Sequence, residues 1–265
     1  MVSLETSQRL ERTEGMVGCS FVEARNAVSH AAAESRVIDG AIAIYDGAES
    51  PFSQTFGLGL FGATGDTTLD EIEGFFFERN ADAQHELSPF AGIEVTARLV
   101  ARGYLPIELS TVLVRSIPPL AVPTSPLELR VIDPVRDGAA WVATSMAGWV
   151  TEPGIEAFIR DLLAVNIRNH AMTHYLVEHE GAPIATGSLG IHDGVALLAG
   201  ASTIPSARGR GAQSVLLARR LVDARARGCE LAMMVASVGS QSQRNAERSG
   251  FEVAYTRTKW KRARP

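Results

Sequence analysis

Apolar and polar residues alternate, cluster and recur along this chain at spacings that predict short strands interleaved with helices. In the second half, residues 127–132 alternate as a strand, and Asp133-Pro134 opens a helix containing Trp141 and Val142. Residues 161–168 continue helical. Apolar runs at 175–178 and 184–186 flank a turn at Glu180-Gly181, and runs at 189–191 and 195–198 flank Asp193-Gly194. Asp-Gly between apolar runs predicts a hairpin, so three antiparallel strands lead up to residue 202. A glycine-containing loop follows at 203–212, then a helix over 214–227. Residues 231–235 carry no charge and predict a strand buried on both faces. The first half has the same character: strands at 41–45 and 56–58, and helices at 69–79 and 90–102.

Pro118, Pro119, Pro123 and Pro126 lie close together. Prolines at this density exclude a helix and a central strand, so 117–126 reads as an extended linker between a first domain, 1–116, and a second, 127–265. The two domains read as distant copies. The first ends in Arg102-Gly103-Tyr104 and an apolar strand to Arg115; the second ends in Ser249-Gly250-Phe251 and a strand to Arg262. The offset is the same at both ends, 250 − 103 = 147 and 262 − 115 = 147.

The richest chemistry lies in Arg208-Gly209-Arg210-Gly211-Ala212-Gln213-Ser214. A strand, a glycine loop and a helix in that order leave backbone N–H groups converging at a helix N-terminus, where the dipole adds positive charge. Such a site takes an anion, most often a phosphate. Arg208 and Arg210 add full charges, and the glycines let a ligand approach the backbone.

The segment resembles the coenzyme A pyrophosphate loop of the GNAT N-acetyltransferase superfamily, whose pattern is Arg/Gln-x-x-Gly-x-Gly/Ala. Arg208 and Gly211 match it, and Gln213 replaces the last small residue. Gly250-Phe251 resembles the last helix-to-strand step of that fold. The resemblance covers about 127–262. It implies an α/β fold (α+β by some schemes) of two GNAT-like domains, each a mostly antiparallel mixed sheet with helices on both faces. It also implies acetyl-CoA as co-substrate, held by the segment from Arg208 to Ser214, by backbone groups of Ser202, Thr203 and Ile204, and by Ser242 and Asn245. In the family a backbone N–H polarises the thioester carbonyl while the acceptor amine attacks directly. Two family positions depart from pattern: Gly239 stands where an Asn is common, and Ala246 where a Tyr protonates the leaving thiolate. Tyr255 and Asn245 are the substitute catalytic candidates. No general base is evident; Glu152, Glu156 and His192 qualify by residue type alone. In the first domain the corresponding loop is Gly62-Ala63-Thr64-Gly65-Asp66, with no arginine and with a carboxylate that repels phosphate, so that half is expected to bind no coenzyme.

Composition narrows the classes. A net charge of −5 argues against a general nucleic-acid binder. No apolar stretch is long enough for a bilayer span. Met1-Val2-Ser3-Leu4-Glu5-Thr6 has no signal-peptide character, and Cys19 and Cys229 offer neither a disulfide framework nor metal-ligand spacing, so a reducing cytoplasm is the simplest expectation. His30, His85, His170, His174, His179 and His192 form no ligand motif. The run from Gly57 to Gly62 has dinucleotide spacing, G-x-G-x-x-G, but no helix opens within it, and it reads as a glycine-rich strand end. Arg257, Lys259 and Lys261 share one strand face and read as a solvated edge strand. The function these features imply is acetyl transfer to the primary amine of a small molecule or peptide; the alternative is a coenzyme A-binding regulatory protein without turnover. The sequence is silent on the acceptor and on oligomeric state.

Overall fold

A computed structural model describes residues 2–29, 32–149 and 154–265; His30 and Glu152 lie outside them. In chain order the elements are α1 (Leu4–Ser29), β1 (Glu34–Ile38), β2 (Ala41–Tyr45), β3 (Gln54–Phe56), α2 (Asp66–Phe77), β4 (Ala83–Leu87), α3 (Ile93–Ala101) and β5 (Leu105–Ser116). They continue with β6 (Glu128–Val131), α4 (Gly138–Trp149), α5 (Glu156–Asn166), β7 (Met172–His179), β8 (Ala182–His192), β9 (Val195–Thr203), α6 (Ala212–Ala226), β10 (Leu231–Ser237), α7 (Gln241–Arg248) and β11 (Glu252–Arg262). The fold is mixed α/β, with mostly antiparallel strand pairing. No helix among the described residues is long and apolar enough to cross a membrane.

By packing, the chain forms two compact units: Met1–Arg115 with Met233–Pro265, and Ser116–Ala232. This grouping differs from the sequential division at 117–126, because β11 hydrogen-bonds to strands of the first unit.

In the first unit the strands run β1-β2-β3-β4-β11-β5-β10. The pairs β1–β2, β2–β3, β4–β11 and β11–β5 are antiparallel, and β3 with β4 is parallel, with Thr55 opposite His85. β11 thus occupies the place beside β4 that β5, next in sequence after α3, would take. Arg257 of β11 faces Ser110 of β5, and 257 − 110 = 147, the offset of the sequence repeat. Its neighbours pair reciprocally: Thr111 with Thr256, and Leu109 with Thr258. β5 and β11 are therefore related by a local two-fold axis through that pair. One face packs Leu69, Ile72, Phe75 and Phe76 of α2 against Leu99 and Tyr104. The other carries α1, which approaches β2 closely: a Cβ on Gly15 would lie 2.7 Å from Ile42 Cδ1.

β11 is not the solvated edge that its alternating basic residues suggest. It lies between β4 and β5, and Arg257 and Lys259 are buried. Arg257 meets Glu11 and Glu14 of α1, at 3.3 and 2.5 Å, and Glu86 adds its charge 2.9 Å from Nε without hydrogen-bond alignment. The counter-charge for the basic face comes from inside the unit.

In the second unit β9, β8, β7 and β6 form an antiparallel meander. The β8–β9 turn places Asp193 and Gly194 at φ 46° and 68°, the twin positive values of a tight two-residue hairpin. Trp141 of α4 is fully buried, and its indole donates to the Tyr175 carbonyl at 3.1 Å. Residues 117–126 form no regular element; Ile117 is buried, and its amide donates to the Glu230 carbonyl.

Candidate coenzyme site

β9 ends at Thr203, a short 3-10 turn covers Pro205–Ala207, and α6 opens at Ala212 with Gly211 as its N-cap. Gly209 and Gly211 have φ 80° and 82°, left-handed values that disfavour any residue with a side chain. A Cβ at either would meet nothing within 4 Å, so the cradle is open. The amides of Gly209, Arg210, Gly211, Ala212 and Gln213 donate to no other group of the described chain. Five unpaired donors in sequence, capped by a helix dipole and flanked by exposed Arg208 and Arg210, make a nest for an oxyanion. The Arg208 guanidinium leans back on the Thr203 and Gly148 carbonyls, both at 3.4 Å. Gln213 folds over the strand end, donating to the Ser202 carbonyl at 3.0 Å and the Thr203 hydroxyl at 2.8 Å. Ser214 is exposed on the first turn.

The strand leading into this loop is bulged. Thr186 pairs with Ser202 but Ser188 pairs with Ala199, so Gly200 and Ala201 oppose the single residue Gly187. Buried hydroxyls fasten the far side: Ser145 to Thr186 at 2.8 Å, and Thr186 to Ser202 at 3.0 Å. Trp149 donates to the Ala201 carbonyl at 3.2 Å, and Gly148 admits α4 so closely that a Cβ there would lie 2.8 Å from the Ser202 side chain. The Ser202 side chain thus faces α4, the Ile204 amide donates to the Ile184 carbonyl at 3.0 Å, and the Ile204 carbonyl accepts from the Ala207 amide at 3.0 Å.

Residues 140–251 match the model of the acetyltransferase (GNAT) family. The chain carries a GNAT domain. Among solved structures, it is similar to a GCN5-related N-acetyltransferase from Kribbella flavida, at 18% identity and TM-score 0.69, over 96% of this chain and 95% of that one. A tandem GNAT protein from the clavulanic acid biosynthesis pathway aligns at 15% identity and TM-score 0.53, over 71% and 66% of the two chains. A GCN5-related N-acetyltransferase from Sphaerobacter thermophilus aligns at 17% and 0.52, over 70% and 61%. At such identities the likeness is one of fold. No curated protein is significantly similar in sequence.

The remaining candidates of the GNAT reading are placed as follows. Ser242 and Asn245 lie exposed on α7, in the first unit; the Asn245 carboxamide oxygen accepts from Gln241 and Arg248. Ala246, at the family's tyrosine position, is buried. Tyr255 is buried in the first unit, its hydroxyl donating to Glu11 at 2.8 Å. Burial and the Glu11 charge push that phenol far above its usual range, so it holds its proton rather than delivering it. The Glu156 carboxylate accepts from the Gly154 amide at 2.7 Å, a capping role, and His192 ends β8. His174, spaced four from His170, is buried, with its Nδ1 2.9 Å from the Ser188 hydroxyl; among the described residues no group of three or more His, Cys, Asp or Glu is placed to hold a metal ion.

In the first unit residues 57–61, which lead into the matching loop, pack their own side chains, whereas a Cβ on Gly62 or Gly65 of the loop itself would meet nothing within 4 Å. Leu58 and Leu60 are buried, and Arg12 stacks on Phe61 at 4.2 Å. Gly57 and Gly59 have φ 76°, which makes this a tight turn rather than a strand end or a dinucleotide loop. Asp66, in the first turn of α2, faces Arg98 and Arg102 at 3.5 Å.

Proposed function

We propose that the chain is an acetyl-CoA-dependent N-acetyltransferase acting on a primary amine, with the coenzyme pyrophosphate in the nest from Arg208 to Ser214. The five unpaired amides at 209–213 carry this reading. Ser202, Thr203 and Ile204 would line the pantetheine arm. The amine nitrogen attacks the thioester carbon, a C–N bond forms, and the carbonyl oxygen gathers negative charge that backbone N–H groups stabilise. The C–S bond then breaks; the amine gives up a proton and the coenzyme leaves as the thiol. A free thiol has a pKa near ~8.5, so the leaving group makes a modest demand on an acid. The sequential domains, 1–116 and 127–265 joined by 117–126, would be a degenerate copy and a coenzyme-binding copy.

The rival, coenzyme binding without turnover, draws on the engaged Tyr255 hydroxyl and on Ala246. Gly211→Trp places an indole in the cradle and forces a left-handed φ on a bulky residue. Calorimetry should show acetyl-CoA affinity falling at least about tenfold, whereas undiminished affinity would remove the coenzyme from this loop. Thiol release from acetyl-CoA across an amine panel separates an enzyme from a binder.

A further inference from the structure

Arg220 projects from α6 toward the sheet and is 3% exposed. Among the described residues it has no carboxylate partner; its Nε donates to the Leu216 carbonyl at 3.2 Å, and its Nη1 to the carbonyls of Ser188 at 3.2 Å and Ala199 at 3.4 Å. Its neighbour Arg219 does have one, Asp223 at 2.9 Å. The guanidinium also lies beside Gly187, where a Cβ would stand 3.3 Å from its central carbon. Gly187 is the residue opposite the bulge of β9, and Ser188 with Ala199 is the pair beside it. Burial pulls Arg220 down to about 10, which still leaves it charged at neutral pH.

A buried cation without a counter-ion is an inefficient way to stabilise a fold, since an apolar side chain of the same volume generally serves as well. Its position gives it another use. A trans peptide directs its N–H opposite to its C=O. By drawing the Ala199 carbonyl toward α6, Arg220 sets the plane of the 199–200 peptide and the course of the chain from there to Thr203. Its uncompensated charge also favours negative charge nearby.

We propose that Arg220 is a positioning residue for acetyl transfer, holding the β9 bulge in the form that polarises a bound thioester carbonyl. This rests on the acetyl-CoA reading above. The test uses the full chain and acetyl-CoA carrying ¹³C at the acetyl carbonyl. In the unaltered protein, isotope-edited infrared spectra should show the carbonyl stretch moved to lower frequency than in solution. In Arg220→Met that displacement should fall by half or more, with the acetyl-CoA Kd from calorimetry changed less than about threefold. Arg220→Lys should restore part of it, as a lysine can reach one carbonyl. Gly187→Ala pushes the guanidinium aside without removing the charge and should weaken the displacement too, which covers the case in which Arg220→Met does not fold. With an accepted amine, kcat should drop at least about tenfold in Arg220→Met at unchanged KM for acetyl-CoA. An undisturbed carbonyl stretch in both Arg220→Met and Gly187→Ala overturns the proposal, as does a loss confined to coenzyme affinity. Failure of the unaltered chain to bind acetyl-CoA would instead sink the underlying reading.

Discussion

Tyr255 illustrates how far residue type alone carries a catalytic assignment. A tyrosine five positions past Gly250 is the nearest phenol to the family's acid position, yet its hydroxyl is committed to Glu11 inside the first unit. Arg257 reaches the same carboxylate, and Phe90 packs edge-on against the ring at 6.0 Å. The partners lie 244 and 246 positions apart in the chain, so no local pattern announces them. Burial, foremost, pushes Glu11 up to about 7, and the Tyr255 and Arg257 donors work against that shift. Tyr255→Phe removes one of those donors and should therefore cost stability, about 1–3 kcal/mol for a buried acceptor left unsatisfied. It should change kcat by less than threefold, because the hydroxyl is not free to deliver a proton. Urea unfolding and steady-state kinetics on the same preparation check both halves. A loss of ~10²-fold or more in kcat with stability intact would restore Tyr255 as the general acid.

At the scale of elements, the hairpins and the loop were legible because their signals are short-range. Asp193-Gly194 fixes a turn with two residues, and the glycines of Arg208 to Gly211 mark the loop that opens α6. Helix α1 was not legible: its inward face mixes Leu10, Phe21 and Val22 with Gly15, Gly18 and a buried Glu11, and it packs against a strand rather than along an apolar stripe. β11 was misread because its basic alternation looks solvated until α1 supplies the acids. Buried histidines escape sequence reasoning for the same reason, and they predict a pH response. Burial holds both His85 in β4 and His174 in β7 down to about 4, against an ordinary 6.5. The unfolded chain then binds protons that the folded chain does not, so each contributes stability that is complete above about 6.5 and is lost as pH falls toward 4. At roughly 1.36 kcal/mol per pKa unit, each amounts to about 3 kcal/mol. Glu11 runs the other way: its raised value lets the folded first unit keep a proton between 4.5 and about 7, which offsets His85 in that range. Nothing similar offsets His174 among the described groups of the second unit. Hydrogen exchange at pH 5 should therefore accelerate in β7 and β8 before β4 and α1, and His174→Asn should abolish the difference. Equal acceleration in both units would contradict this balance.

At the scale of the whole molecule, the repeat read from the sequence reappears as a symmetry of strand pairing. The constant offset of 147 becomes a self-pairing position, Ser110 with Arg257, where Arg257 Nε donates to the Ser110 hydroxyl at 3.1 Å. The two copies nonetheless diverge at the place where a coenzyme would enter. Under that offset Thr55 corresponds to Ser202, since 202 − 55 = 147, so β3 is the counterpart of the end of β9. In the first unit β3 is hydrogen-bonded to β4 as a parallel neighbour, with Thr55 against His85 and Phe56 against Glu86, which occupies that strand edge along those residues. The turn that follows buries Leu58 and Leu60, and the first turn of α2 carries the exposed carboxylate of Asp66 where the second unit has Arg208 and Arg210 around the loop. Coulomb repulsion at Asp66 and the absence of an arginine from residues 62–66 act in the same direction, so the expected stoichiometry is one acetyl-CoA per chain. Calorimetric titration of the full chain should give a binding number near one, and Gly211→Trp should bring it to near zero rather than uncover a second, weaker site. A number near two, or saturable binding that survives Gly211→Trp, would show that the first unit has kept a coenzyme site despite its closed strands.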